Sequence, residues 1–298
     1  MSDNNDKNKL ESNLNTLHKI KCLVFSGGGI KGLCHIGCLK ALEERDVYKQ
    51  ISCIIGTSCG SIIALLYNLH YNYDVLEEIL LEIDFNYIQD INTDTILDYF
   101  NNFGIDSGKK IEKIIRIFIK KKVNNDNITF LELYNLTNKK LIITGSCLNT
   151  ASCTEFSYLT HPDLPIIRAI KISIAIPFIF NAQNLDNNLY VDGALTQNLA
   201  LDLYPEKKEI LGFLIKTNIS YKNIDTIEKY TQCVLQCIDN KFTDIYYKLY
   251  PDIIITLSSE INGLDFTINK QQRKLLFLKG YDSTNIYLDK YIYRLNDN

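Results

Sequence analysis

The sequence lacks most features that mark metal-binding, secreted or membrane-spanning proteins. Its nine cysteines include no C-x-x-C pair, which argues against a zinc site, and their odd, scattered distribution does not fit a small disulfide-bonded secreted domain. No uninterrupted apolar run approaches the roughly 18 residues of a membrane span, and residues 1–20 lack the apolar segment of a secretory signal. We therefore expect a cytoplasmic protein with mostly buried thiols and no bound metal.

An excess of basic charge is also missing. The 32 lysines and arginines are outnumbered by 35 acidic residues, and the net charge of −3 argues against a nucleic-acid partner. The 298 residues suit one large α/β domain, and neither an internal repeat nor a proline- or serine-rich linker divides them. We expect a flexible tail over residues 1–20 and a single domain over 21–298. Nothing in the sequence indicates an oligomeric state.

Short apolar segments alternate with amphipathic ones along the chain. Strands are predicted at 21–26, 51–55, 140–147, 154–158, 189–192, 209–216 and 252–257. Helices are predicted near 14–18, at 33–45, directly after residue 60 as far as 69, and within 74–103. Further helices are predicted at 107–122, 129–136, 165–174, 224–249 and 269–293. The alternation predicts an α/β fold with a mainly parallel, helix-covered sheet.

The most informative stretch is Gly56-Thr57-Ser58-Cys59-Gly60, between a buried strand and a helix. In that context G-x-S-x-G predicts a nucleophile elbow, a turn too sharp for side chains at its two glycines. Ser58 would then have a strained backbone and an exposed hydroxyl above the helix N-terminus. The alternative is an ordinary glycine and serine turn; the flanking strand and helix favour the elbow.

A second signal is a glycine loop between the first strand and the first helix: Gly27, Gly28, Gly29, Ile30, Lys31 and Gly32. The G-x-G-x-x-G spacing also fits a dinucleotide site, but the next strand ends in the serine motif and not in the acidic residue such a site requires. A Walker A loop is excluded because Gly-Lys-Ser/Thr is absent. We expect the Gly28 and Gly29 N–H groups to stabilise an oxyanion formed when Ser58 attacks an ester. The alternative is a tight turn from strand to helix.

A serine nucleophile needs a base, and the chain has only four histidines. His18 lies in the predicted tail, and His35 and His70 lie within or at the end of helices, where structural roles are common. His161, in a Thr-His-Pro-Asp loop, is one candidate. Asp192, at the end of a predicted strand, is the other, and the residues alone leave both open.

The combined motifs resemble those of the patatin-like phospholipase family. GGGIKG at 27–32, GTSCG at 56–60, ISIAIPFIF at 172–180 and Asp192-Gly193-Ala194 occur in that family's order. The sequence around Asn198 and over residues 130–149 also resembles that of the family. The resemblance extends over about residues 21–216 and leaves the C-terminal part only loosely assigned.

The resemblance implies a three-layer α/β/α sandwich and a Ser–Asp dyad, with Ser58 as nucleophile and Asp192 as proton acceptor. It assigns Gly27, Gly28 and Gly29 to the oxyanion loop. The implied reaction is phospholipase A or lysophospholipase hydrolysis of a membrane lipid through an acyl-serine, without a metal or organic cofactor. The alternatives are acyl transfer to an alcohol or lysolipid, and a lipid-binding protein that has lost activity.

The sequence departs from the family pattern at three places. Lys31 stands where arginine is usual, which keeps the charge but loses the bidentate fork. Ile172 replaces a small residue before Ser173, and we expect it to narrow the pocket wall. Leu199-Ala200 replaces the usual proline-containing pair. None of these changes removes a catalytic group.

The segment 107–122 is strongly basic on one side. Its cations are Lys109, Lys110, Lys113, Arg116, Lys120, Lys121 and Lys122, against Glu112 alone. This pattern, opposite an isoleucine-rich face, predicts peripheral contact with an anionic membrane. A helix packed on the core with a solvated basic side fits the same pattern.

Overall fold

The computed structural model describes residues 19–83, 85–91, 99–217 and 219–296. The helix predicted near 14–18, His18, most of the predicted tail and part of the 74–103 region lie outside these residues. The strands are β1 Cys22–Phe25, β2 Cys53–Gly56, β3 Gly104–Asp106, β4 Lys140–Cys147, β5 Ser152–Phe156, β6 Phe178–Phe180, β7 Gln183–Leu185, β8 Asn188–Asp192, β9 Ile210–Thr217 and β10 Ile254–Ser259.

The α-helices are α1 Leu33–Glu44, α2 Cys59–Asn68, α3 Tyr73–Glu82, α4 Tyr99–Asn102, α5 Lys109–Val123, α6 Phe130–Thr137, α7 Ile166–Ser173, α8 Ala194–Gln197, α9 Ile227–Leu249 and α10 Lys270–Asn296. Nearly all predicted elements are present, with ends shifted by a few residues. The elements that the sequence did not predict are the three-residue strands β3, β6 and β7 and the single turn α8, which are too short to show a hydrophobic period.

The main sheet has the strand order β10-β9-β1-β2-β4-β8-β7, with β5 paired to β4 outside this path. Strands β10, β9, β1, β2 and β4 are mutually parallel, β5 and β8 pair antiparallel with β4, and β7 pairs antiparallel with β8. Phe25 pairs with Gly56, so the loops that follow β1 and β2 leave the sheet side by side. Asp192 pairs with Gly145, so it lies at the same end of the sheet as these two loops, although its strand runs in the opposite direction to β4.

Helices cover both faces of the sheet because its side chains alternate between two cores. In β1, Leu23 and Phe25 belong to the larger apolar cluster, whereas Cys22 and Val24 belong to a cluster on the opposite face. Helices α1 and α10 cover the first face, and α9 contributes Tyr246 to the second. The fold is thus a mainly parallel α/β/α sandwich, as predicted.

Two local features agree with the sequence: the start of the helix predicted at 129–136 and the burial of most thiols. Helix α6 begins with a capping box, in which the Glu132 N–H donates to Thr129 Oγ1 at 3.2 Å and the Thr129 N–H donates to Glu132 Oε2 at 2.8 Å. All nine cysteines are free thiols and five of them are buried. Among the described helices, none combines the length and the apolar character that crossing a membrane requires.

Candidate active site

Ser58 stands at the turn between β2 and α2 with φ 54° and ψ −128°, a backbone conformation that non-glycine residues rarely adopt. A Cβ at Gly56 would lie 2.4 Å from the Gly60 oxygen, and one at Gly60 would lie 2.4 Å from the Phe25 oxygen. The turn therefore requires both glycines. Ser58 is only 4% exposed and lines two cavities, so its hydroxyl is less exposed than the sequence led us to expect.

The Ser58 hydroxyl donates a hydrogen bond to Asp192 Oδ2 at 2.6 Å. The other carboxylate oxygen, Oδ1, accepts the Ala194 N–H at 2.8 Å, so both oxygens have a donor. The Asp192 N–H donates to the Ala175 oxygen at 2.9 Å, and the Asp192 carbonyl oxygen accepts a hydrogen bond from the Ser146 hydroxyl at 2.7 Å. These contacts hold the carboxylate against the serine in one orientation.

Burial raises the pKa of Asp192 to about 7, while the hydrogen bonds from Ser58 and Ala194 oppose that shift. A carboxylate with this pKa is a far better proton acceptor at neutral pH than one in water. The turn that follows Asp192 also requires a glycine, at position 193. A Cβ there would lie 2.5 Å from Thr144 Oγ1, on β4.

The glycine loop has a more specific hydrogen-bond pattern than the sequence indicated. The Gly27 N–H donates to Asn198 Oδ1 at 2.8 Å, so it is not available to an oxyanion. The Ile30 N–H donates to the Gly263 oxygen at 2.8 Å. Between them, the Gly28 N–H has no acceptor among the residues that the structure describes. Gly28 and Gly29 both line the cavity that contains Ser58.

Lys31 is 1% exposed and its ammonium donates to Thr217 Oγ1. Burial lowers the pKa of Lys31 to about 8, and the negative charge of Asp239 opposes that shift. A guanidinium would offer several donors here, whereas the ammonium of Lys31 is a compact charge beside the glycine loop.

The described histidines lie away from Ser58. His35 is fully buried, donates from Nε2 to the Ser26 oxygen at 2.9 Å, and has a pKa lowered by burial to about 4. The His161 ring packs on Phe156 with centroids 4.8 Å apart and bonds the Thr160 hydroxyl. Of His35, His70 and His161, none lines either cavity at Ser58.

Ser58 lies in the wall shared by two cavities of different character. The first, of about 180 Å³, is lined almost entirely by apolar side chains, among them Ile62, Phe85, Ile111, Ile174 and Phe266. The second, of about 60 Å³, is the more polar one. Its polar lining residues are Lys31, Asn198, Thr217, Gln232, Gln236 and Asp239, together with Asp192, and its apolar ones include Ile176, Ile215, Leu235 and Leu264. An ester placed at Ser58 can therefore send one side into an apolar space and the other into a space that also offers polar groups.

Sequence reasoning missed the role of Ser173 and misplaced that of Ile172. The Ser58 N–H donates to Ser173 Oγ at 2.8 Å, so the third motif contacts the turn that carries the nucleophile candidate. Ile172 is fully buried against Gly145 on β4 and lines none of the described cavities, so it does not narrow the pocket. The helical period shows that α7 is amphipathic but not which of its polar residues meets Ser58.

A family model described as patatin-like phospholipase matches residues 23–203. The chain belongs to the patatin-like phospholipase family. The match contains the glycine loop, the serine turn and Asp192, and it ends before β9, α9, β10 and α10. Membership makes the chain an enzyme of the ester-hydrolysing lipase and phospholipase class, with acyl lipids as its class of substrate.

Individual proteins are similar to this chain in sequence or in fold. An uncharacterized protein of Acanthamoeba polyphaga mimivirus is 28% identical over 296 residues, which cover 92% of this chain and 95% of that protein. A protein of Invertebrate iridescent virus 6 named as a probable lipid hydrolase is 34% identical over 196 residues, 63% of this chain and 65% of its own length. The crystal structure of VipD from Legionella pneumophila has the same fold, with a TM-score of 0.59 and 17% identity over 92% of this chain and 67% of VipD.

Proposed function

We propose that this chain is a phospholipase A or lysophospholipase that works through a Ser58–Asp192 dyad. The observation that carries the proposal is the 2.6 Å hydrogen bond from Ser58 to Asp192, at the wall between an apolar and a polar cavity. Burial of the Asp192 carboxylate, which raises its pKa, supports the proposal, as does the Gly28 N–H, which has no acceptor among the described residues.

The reaction begins when Ser58 Oγ attacks the ester carbonyl carbon and its proton passes to Asp192 Oδ2. The negative charge that develops on the carbonyl oxygen is stabilised by the N–H groups of Gly28 and Gly29. Collapse of this intermediate breaks the ester C–O bond, and the departing alcohol takes the proton from Asp192. Water then attacks the acyl-serine with Asp192 again as base, which releases the fatty acid and restores Ser58.

The two cavities support a polar lipid as substrate. An acyl chain suits the isoleucine- and phenylalanine-lined cavity, because there it loses its contact with water against apolar walls. The alcohol side of the ester then faces Lys31, Thr217 and Gln232. A diacylglycerol leaving group offers few acceptors to the ammonium of Lys31 and the amide of Gln232, whereas a glycerophospho group carries charged oxygens that can bond both.

Lipids with the same acyl chain and different alcohol sides test this preference. We expect fatty-acid release from phosphatidylcholine or lysophosphatidylcholine to exceed that from triacylglycerol by at least about tenfold, because unpaired polar groups cost more than 1 kcal/mol. Released acid is measured by mass spectrometry at matched surface concentration, with Ser58→Ala as the blank. Faster hydrolysis of triacylglycerol would contradict the assignment of a polar leaving group.

The pH dependence follows from the burial of Asp192. Its pKa is raised to about 7, so the ionised form that accepts the serine proton dominates only above that pH. We expect kcat/KM on a soluble short-chain ester to rise with pH and to level off above about 7, since this parameter reports the free enzyme. A flat profile from pH 5 to pH 9 would exclude Asp192 as the base.

We propose that helix α5 contacts membranes through its basic side alone and not through its apolar face. Ile115 and Ile119 on its apolar face are buried in the core, so this face is not available to lipid. Lys120 and Lys121 are exposed and have no partner among the described residues, whereas Lys122 donates to the His70 oxygen. We propose that the free lysines attract anionic lipid headgroups.

Charge reversal tests this attraction. The double variant Lys120→Glu, Lys121→Glu should bind vesicles containing phosphatidylserine at least about tenfold more weakly at low salt, since each lysine near an anionic surface contributes about 1 kcal/mol. The control is Lys241→Glu, Lys248→Glu, which changes the net charge equally through exposed lysines of α9. Equal binding by both variants in co-sedimentation would rule out the α5 surface.

A further inference from the structure

A buried pair of side chains connects the glycine loop to helix α9. Asn198 Oδ1 accepts the Gly27 N–H at 2.8 Å, and Asn198 Nδ2 donates to Asp239 Oδ1 at 2.7 Å. Asn198 is 5% exposed, so water has little access to either end of the amide. Asp239 lies beyond residue 203, where the family match ends.

The two contacts of Asn198 depend on each other because an amide has one accepting end and one donating end. The Gly27 N–H can only donate, so it needs the amide oxygen. An ionised carboxylate can only accept, so Asp239 needs the amide nitrogen. If the amide were rotated by half a turn, two donors would face each other at Gly27 and two acceptors at Asp239. Asp239 therefore selects the orientation in which Asn198 holds Gly27.

The segment beyond residue 203 also contacts the other side of the glycine loop. The Ile30 N–H donates to the Gly263 oxygen at 2.8 Å, and a Cβ at Gly29 would lie only 2.0 Å from that oxygen. The loop is thus held at Gly27 through Asn198 and at Ile30 through Gly263. Gly28 lies between these two points, and its N–H, which has no acceptor among the described residues, can meet an oxyanion.

We propose that Asp239 is a positioning residue for the oxyanion loop, acting through the amide of Asn198. The proposal rests on the function proposed above, in which the Gly28 N–H stabilises the transition state. It makes the segment beyond residue 203 part of the catalytic apparatus. Asp239 does not act on Ser58 or Asp192, so the proton-transfer step keeps its pH dependence when Asp239 is changed.

The charges near Asp239 permit this role. Burial raises the pKa of Asp239, while the hydrogen bond from Asn198 and the positive charges of Lys31 and Lys216 lower it. Lys31 lies in the glycine loop and Lys216 in β9, and both elements pack against α9. An ionised Asp239 also compensates the positive charge of the buried Lys31 ammonium. A substitution at Asp239 therefore affects the rate through Lys31 as well as through Asn198, and the experiment must separate the two effects.

A double-mutant cycle with Asn198 makes this separation. We expect Asp239→Leu to lower kcat on a soluble ester about ten- to a hundredfold with KM within about twofold, because a displaced oxyanion donor acts on the transition state. In an Asn198→Ala background the same change should lower kcat by less than about twofold. Asp239→Asn, which can still present an oxygen to Asn198, should keep most of the activity. Asp244→Leu, an exposed carboxylate on the same helix, is the matched control and should match the wild type.

The outcomes are distinct. Equal effects of Asp239→Leu in both backgrounds would overturn the proposal and assign the effect to Lys31, and wild-type activity of Asp239→Leu would overturn it outright. If Asp239→Leu does not fold, Asp239→Ser replaces it with the same expectations, since its shorter side chain cannot reach Asn198. Ser58→Ala in the same assay tests the proposed function separately, because activity in that variant would refute the nucleophile without bearing on Asp239.

Discussion

Replacing Ser58 by alanine should lower ester hydrolysis by at least about three orders of magnitude, to the background of the assay. The alanine removes the oxygen that forms the acyl-enzyme and leaves the cavities and the glycine loop in place. Hydrolysis of a soluble ester is measured together with covalent labelling by a fluorophosphonate probe. Labelling should be lost with the activity, and the labelled peptide of the wild type should contain Ser58.

The control for this variant is Ser157→Ala. Ser157 is also fully buried, but it bonds Glu155 and Thr160 away from both cavities, so its loss should leave the rate per folded molecule unchanged. Labelling of a different serine in the wild type, or near-normal hydrolysis by folded Ser58→Ala, would show that another residue is the nucleophile.

The stability of the Ser58 variants tests the strained turn independently. The Ser58 hydroxyl is a hydrogen-bond donor to a buried carboxylate, so Ser58→Ala should unfold more easily above pH 7 than below it. Glycine relieves the strain of φ 54°, and Ser58→Gly should be more stable than Ser58→Ala by about 1 kcal/mol. Equal melting temperatures of the two inactive variants would indicate that the turn stores no strain.

Replacing Asp192 by asparagine should lower kcat/KM by at least about two orders of magnitude. The amide oxygen can keep the bond from Ala194, which turns the NH₂ group towards Ser58. Ser58 then faces a donor, and no group at this position can take its proton. The residual activity should also lose the rise with pH near 7 that marks the wild type.

His161→Gln is the control for this variant, since His161 was the other base that the sequence allowed. It should retain most of the activity, because its ring packs on Phe156 and lines neither cavity. A collapse of activity in His161→Gln together with an active Asp192→Asn would reverse the assignment of the base.

Asp192→Asn should also change the pH dependence of unfolding. Burial raises the pKa of Asp192 in the folded protein to about 7, above the ordinary value of 3.8, so the contribution of this carboxyl to stability is complete below the lower value and is lost as the pH rises through 7. Wild type should therefore lose stability between pH 5 and pH 8. The asparagine variant should lack this loss and be more stable at pH 8 by roughly 2–4 kcal/mol. Denaturant unfolding of both proteins at the two pH values measures the difference.

Much of the fold could be predicted from the sequence because its signals are local. Strand β2, the turn at Ser58 and helix α2 follow from an apolar run, two glycines and a helical period within a few residues. The capping box of α6 is likewise set by Thr129 and Glu132, three positions apart. The short strands β3, β6 and β7 were missed because their pairing comes from tertiary contacts and not from a hydrophobic pattern.

The candidate site could be predicted only in part. The family resemblance named Ser58, Asp192 and the glycine loop, but it treated the three glycines alike. Only the fold shows that the Gly27 N–H is bonded to Asn198, while that of Gly28 has no acceptor in the part of the chain that the structure describes. It also replaces the expected pocket role of Ile172 by core packing on Gly145.

The order of strands and helices and the two glycine-dependent turns follow from the sequence alone, since backbone preferences act between near neighbours. The residue patterns left both His161 and Asp192 open as the base, and the fold shows that Asp192 contacts Ser58 across 134 positions of the chain. This contact depends on β8 entering the sheet antiparallel beside β4, and no local signal encodes that neighbour. The contact of Asp239 with Asn198, 41 positions apart, and the division between apolar and polar cavities arise in the same way, where separate elements pack together.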